Sequence, residues 1–168
     1  LTFHYWFWKN LLNKKKNNLW IGFCQKRRFW LQSKNSSNNL LSKVPTNWKN
    51  YDAVICKKIN LGKPKLSKLF KRGWKNIIQK PSILYSDRNY NIELHFDLFH
   101  GFRNLRKAAK LVKKEDRLEF IEYIKKNRSF NPHIMCIAKP KILRLWFKDL
   151  FPWLKRCEAI FGFKDLKG

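Results

Sequence analysis

Within its first thirty residues the chain sets an aromatic run, LTFHYWFWKN, a lysine and asparagine spacer, an apolar run, LWIGFC, and an arginine pair, Arg27 and Arg28. Residues Thr2 to Leu12 carry aromatic side chains on nearly every side, which suits a buried helix better than an amphipathic surface one. Leu19 to Cys24 is short, rich in β-forming residues and bounded by polar ones, the pattern of a central parallel strand. Gly22 inside it marks a close approach of backbone or ligand. A buried helix next to a central strand commits the chain to an α/β core. The arginines then fall at the carboxyl edge of the sheet, where such folds place their ligands.

Further along, Tyr51 to Ile59 (YDAVICKKI) reads as a second strand. Gln32 to Asn50 is Ser-, Asn- and Lys-rich without a period, and predicts a surface loop punctuated by Pro45. Leu61 to Ser86 is basic and loop-rich, with one short helix near Lys65 to Lys71. From His100 the spacing of Leu105, Ala108, Ala109 and Val112 predicts a helix. A second helix is expected from Asp116, with Asp116 capping it and Glu119 reaching back. HIMCIA, His133 to Ala138, predicts a strand, and Lys141 to Ile160 a final amphipathic helix that Pro152 must kink or restart.

At 168 residues and 44% apolar, the chain is sized for one globular domain and is too hydrophobic for general disorder. Its 38 Lys and Arg against 11 Asp and Glu leave a net charge of +27, which attracts polyanions: nucleic acid, anionic headgroups or phosphorylated substrates. Cys24, Cys56, Cys136 and Cys157 lie far apart with no CxxC pair, so their spacing argues against zinc and for reduced, mostly buried thiols. No apolar run approaches the ~20 residues of a membrane span, and no secretory pattern opens the chain. A cytoplasmic protein, soluble or peripheral at the inner face of the cell membrane, is the expectation.

Leu1, Thr2, Tyr5, Trp6, Trp8, Lys9 and Asn10, followed by Ile21, Gly22, Arg27 and Arg28, fit a two-part pattern of the form ELTxxYWxWKN…YIGLxHYRRYF. In this the chain resembles the capsular and exopolysaccharide glycosyltransferases, a galactofuranosyltransferase-like family long catalogued as a domain of unknown function. A third match, Asn131 to Glu158, is similar to the family's HMFNMFIMKKxxFxxYxxWLFxILxxLE, through Met135, Ile137, Lys139, Leu150, Phe151, Leu154 and Glu158. The resemblance implies an incomplete GT-A-like, Rossmann-like α/β domain over residues 1–168, truncated at both ends, with a mixed or parallel sheet flanked by helices. It implies transfer of a sugar from a nucleotide-diphosphate donor to a polysaccharide or lipid-linked glycan.

Such transfer requires groups that stabilise the negative charge growing on the departing diphosphate. Arg27 and Arg28 are the candidates, with Gln25 beside them where the family has His. On a continuing strand the two arginines point to opposite faces; if the strand ends near Gln25 both can converge. Gln25 is no general base and a poor ligand for Mg or Mn, so the resemblance carries no metal site onto this chain. The family's Asn before Met is Ile134 here, which leaves Asn131 or His133 to supply its hydrogen bond. For acid–base work His100 is the candidate, aligned with a family segment H-x-x-x-x-L that opens a helix, with Asp97 as the carboxylate that orients it. His95 is the less securely placed member of that cluster.

Two other readings stand beside the enzyme. Lysines on phosphates and aromatic rings on bases would suit a ribosomal-type RNA-binding protein, against which the runs YWFW and LWFKDLFPW look buried. Basic patches would also dock on an anionic membrane, which is compatible with transfer to a lipid-linked acceptor.

Overall fold

The computed structural model describes residues 1–32, 39–86 and 89–162. In chain order the elements are α1 (Thr2–Asn10), β1 (Ile21–Phe23), β2 (Ala53–Ile55), β3 (Ile59–Asn60), α2 (Leu66–Gln79), α3 (Ile92–His100), α4 (Asn104–Ala109), α5 (Lys114–Lys126), β4 (Ser129–Phe130), β5 (Cys136–Ala138) and α6 (Pro140–Phe161). The fold is mixed α/β with small antiparallel sheets. The chain divides into two compact units, residues 1–57 with 131–151 and residues 58–130 with 152–168.

The first unit is built on a three-stranded sheet of order β1-β5-β2, both pairings antiparallel. Its centre is β5, whose Cys136, Ile137 and Ala138 are all buried. Ile137 pairs with Gly22 on one side and Val54 on the other. The expected parallel sheet with Leu19 to Cys24 at its centre is therefore corrected: that run supplies an antiparallel edge strand. The reason is visible in the side chains, since β1 buries Phe23 while Gly22 is exposed, and only a strand buried on both faces belongs in the middle. A Cβ on Gly22 would meet Ile137 at an ordinary 3.4 Å, so no close approach demands glycine there.

Phe23 anchors this unit's aromatic core. Its ring lies 4.4 Å from His4, 5.4 Å from Phe7 and 6.1 Å from Phe147, and Trp8 stacks on Phe151 at 5.3 Å. Offset and edge-on pairs of this kind add to the area they bury. The aromatic helix α1 is nonetheless not buried all round, because only His4 and Phe7 are enclosed while Phe3, Tyr5 and Trp6 stand exposed. Arg144 of α6 fastens the chain after α1, donating from Nη1 to the Leu12 carbonyl at 2.9 Å and from Nη2 to Asn17. Lys139 ties β2 to β5 through its Nζ, 2.6 Å from Asp52, and its backbone amide, 2.9 Å from the Asp52 carbonyl. Of the expected loop 32–50, residues 33–38 lie outside the described residues; Gln32 and Leu41 pair with Asn39 and Trp30 around them, and Thr46–Trp48 forms a short 3₁₀ turn.

The second unit is helical, with β3 and β4 paired antiparallel at its side. Leu61, Ile92, Leu105, Ala109 and Ile124 form one core cluster, and Leu69, Ile83, Tyr90, Leu94 and Leu98 another. Helix α3 runs through both, so the stretch around His95 and Asp97 is helical. Asn91 caps it, accepting from the Leu94 amide at 2.9 Å. Gly73 lets α2 close on α3: a Cβ there would lie 2.7 Å from Leu98 Cδ2. Helix α2 extends to Gln79, twice the expected length and through what read as loop. The helix α5 begins at Lys114, not Asp116, and its N-cap, Lys113, makes no side-chain cap bond, so the expected Asp116 cap is replaced by acidic residues within the first turn. Trp153 and Arg156 donate to the carbonyls of Ala108 and Leu111, satisfying the end of α4.

Candidate functional site

β1 ends at Phe23, and a turn immediately follows. Gln25 and Arg28 exchange backbone hydrogen bonds of 3.3 and 3.0 Å, closing a four-residue turn with Lys26 and Arg27 at its tip. Arg27 sits there at φ 66, in the left-handed region that a residue with a Cβ rarely adopts. The strand stops before the arginine pair, and of the two it is Arg28 that lies against His133.

Arg28 Nη1 lies against the ring of His133, 2.5 Å from Nδ1 and 2.8 Å from Nε2, and donates to whichever of the two carries no proton. His133 is itself placed by its backbone amide, which donates to Asn131 Oδ1 at 3.0 Å. Gln25, Lys26, Arg28, Pro132 and His133 line an open recess, in which the charged members are cations and no carboxylate takes part. A guanidinium carries five N–H donors; the imidazole engages Nη1, and Arg28 as a whole is exposed at the recess. The loop before β5 and the turn after β1 thus bring together four of the five residues expected to bind substrate: Gln25, Arg28, Asn131 and His133. Arg27 shares the turn but no bond with His133.

His133 and Asn131 also line a second hollow of about 470 Å³, walled by Ala53, Ile55, Ile134, Met135, Ile142 and Trp146. That volume is in the range of small-molecule pockets, and its lining is mostly apolar. Trp146, on the amphipathic α6, is partly exposed and lines this pocket. Cys56 lies near the basic turn; burial pushes its thiol up and the Arg28 charge opposes that shift. Neither Trp146 nor Cys56 was marked by its sequence context.

The expected acid–base residues lie in the second unit, on α3. Asp97 is buried, and its two oxygens are occupied: Oδ1 by the Arg103 amide at 2.9 Å and Oδ2 by Asn76 Nδ2 at 2.6 Å. Burial raises its carboxyl above the usual aspartate range against the pull of those two bonds. The carboxylate expected to orient His100 therefore holds the α3–α4 turn, where Arg103 adopts φ 60. His100 is exposed at the end of α3, its ring 4.5 Å from Phe96. His95 borders a largely apolar hollow of about 360 Å³ with Lys65, Lys68 and Phe99; burial, then the Lys68 charge, lowers its basicity. Among the described residues no three His, Cys, Asp or Glu side chains converge as a metal site would require. The four cysteines are unpaired, with Cys24 exposed and Cys136 buried, so the thiols are more varied than the mostly buried set expected.

The family model described as "Domain of unknown function (DUF4422)" matches residues 1–167. The chain belongs to the DUF4422 family. No curated protein and no solved structure shows significant similarity to it. The family match spans both units of the DUF4422 chain, and its description assigns no activity. No helix among the described residues is long and apolar enough to cross a membrane.

Proposed function

We propose that this DUF4422 chain is a glycosyltransferase-type domain of GT-A-like kind, serving surface polysaccharide biosynthesis, and that its first unit holds the diphosphate of a nucleotide-sugar donor. The observation that carries the reading is Arg28, fixed between its turn and His133 in a cationic recess that shares His133 with an apolar pocket. A nucleotide diphosphate needs both parts: cations for the phosphates and an apolar wall with an aromatic ring for the base. Arg28 would stabilise the charge that develops on the leaving diphosphate. His133 would fix the guanidinium plane so that little side-chain entropy is lost when the phosphate arrives. The proposal rests on the first unit alone.

Calorimetric titration with UDP, UDP-hexoses and GDP-hexoses tests it. Binding of at least one, weakened about 10- to 100-fold by Arg28→Ala, is expected, since a charge-assisted bond contributes about 1.5–3 kcal/mol. Absence of binding to every nucleotide tried would end the reading.

A second reading has gained one supporting observation. Phe3, Tyr5 and Trp6 stand exposed, so YWFW is not the wholly buried run that counted against RNA binding. Tight, salt-sensitive RNA binding together with no nucleotide-sugar binding would favour it.

A further inference from the structure

Helix α2 has an apolar stripe that its own core does not use. Successive residues of a helix are rotated by about 100°, so residues four apart nearly align. Leu69 and Gly73, with Ile77 beside them, face inward and pack the second unit's core. One position on, Leu66, Phe70, Trp74 and Ile78 form a parallel row that is 53%, 58%, 51% and 70% exposed. One position further, Lys71 and Lys75 form a cationic row, continued round the helix by Lys68 and Arg72. The exposed stripe is therefore bordered by the protein body on one side and by lysines and arginine on the other.

An apolar row of four large side chains on solvent is costly unless something covers it. Its occupant can be argued from charge and shape. A second copy of a chain with net charge +27 would bring two cationic rows together, which opposes self-association across this face. Nucleic acid would suit the lysines and the rings of Phe70 and Trp74, but offers nothing to Leu66 and Ile78 at the ends of the stripe. A bilayer surface accepts all of them: acyl chains take the Leu, Phe, Trp and Ile side chains, the indole sits at headgroup depth, and anionic headgroups meet the lysines. We propose that the outer face of α2 docks this protein in the plane of an anionic lipid bilayer, with Phe70 and Trp74 inserted and Lys71, Arg72 and Lys75 on the headgroups. This surface is independent of the donor site and stands or falls separately from it.

The test is sedimentation with vesicles of equal parts phosphatidylglycerol and phosphatidylcholine against vesicles of phosphatidylcholine alone. Wild-type protein is expected to bind the anionic vesicles, and the double variant Phe70→Ser/Trp74→Ser to bind at least about tenfold more weakly. Both positions are exposed, so the circular dichroism spectrum and melting point of the variant should match the wild type. Should that variant misfold, Trp74→Phe retains insertion and tests depth directly: quenching by bromine-labelled phosphatidylglycerol should fall relative to wild type as the inserted indole is lost. The proposal is overturned by no binding to anionic vesicles, by binding that the double variant leaves unchanged, or by bromolipid quenching identical in wild type and Trp74→Phe. A dimer dissolved by Phe70→Ser/Trp74→Ser would overturn it as well and assign the face to a second copy.

Discussion

Asp97 offers a sharp separation between a structural and a chemical carboxylate. Its side chain is 3% exposed and accepts from the Arg103 amide at 2.9 Å and from Asn76 at 2.6 Å, while the Oδ1 of Asn76 is buried without a partner. Asp97→Ala strands two part-buried donors, the Arg103 amide and Asn76 Nδ2. With roughly 1 kcal/mol for each hydrogen bond lost at a part-buried donor, offset in part by removal of a buried charge, the loss should be about 1–2 kcal/mol. Asp97→Asn is expected to stay within about 1 kcal/mol of wild type, because its carbonyl keeps the Arg103 bond and its new amide can donate to the Asn76 oxygen once that group turns over. The pH dependence has a definite sign. Burial raises the folded-state pKa, so the folded chain holds the proton more tightly than the unfolded one. The stability that protonated Asp97 contributes is complete below the ordinary aspartate value and is lost as pH rises through the raised one. Wild-type stability minus that of Asp97→Asn should therefore fall across that window and then level off. Urea unfolding of the three proteins over the acid-to-neutral range measures this. No measurable Asp97→Ala loss, or a difference that rises with pH, would refute the structural assignment.

Arg27→Gly should stabilise the protein by up to about 1 kcal/mol by relieving the left-handed backbone at φ 66, with nucleotide affinity unchanged; thermal melting and titration check both halves. Phe147→Ala, at a side chain with no exposure and rings of Phe23, Trp146 and Phe151 around it, should cost about 3–5 kcal/mol in urea unfolding. Maleimide labelling at neutral pH should find exposed Cys24 first and Cys136 last, since burial pushes the Cys136 thiol up to about 11; Cys24→Ser should remove the fast phase.

What the sequence revealed depended on whether a feature was local. The amphipathic α6, the second half of HIMCIA as β5 and the residues of the basic turn are written in their own neighbourhoods, and they were found; His133, Ile134 and Met135 belong to the loop before β5. The order of the sheet was not legible, because β1 becomes an edge only when β2 and β5, distant in sequence, pair around Ile137. Helix α3 was missed for a related reason. It is covered on more than one side, by Leu69 and Ile83 in one cluster and Leu105 and Ile124 in the other, so its apolar residues fall on several faces and blur the 3.6-residue period. Gln25, Arg28, Asn131 and His133 were named as substrate contacts separately; their meeting through the Arg28–His133 bond is a tertiary fact. Asp97 misled because a carboxylate two residues from one histidine and three from another looks chemical until its partners, Asn76 and Arg103, are seen. The stripe on α2 escaped notice because only Lys65 to Lys71 read as helix, and the half that carries Trp74 and Ile78 read as loop.

The central claim is that Arg28 and His133 form an anion site for a nucleotide diphosphate. Its most direct measurement is side-chain NMR of nitrogen-labelled protein during titration with UDP, following the Arg28 guanidinium and the His133 ring. The account predicts that these resonances move together and saturate, and that Arg28→Ala abolishes the His133 response. Saturating shifts that leave both side chains unmoved, or a His133 response that persists without Arg28, would contradict it.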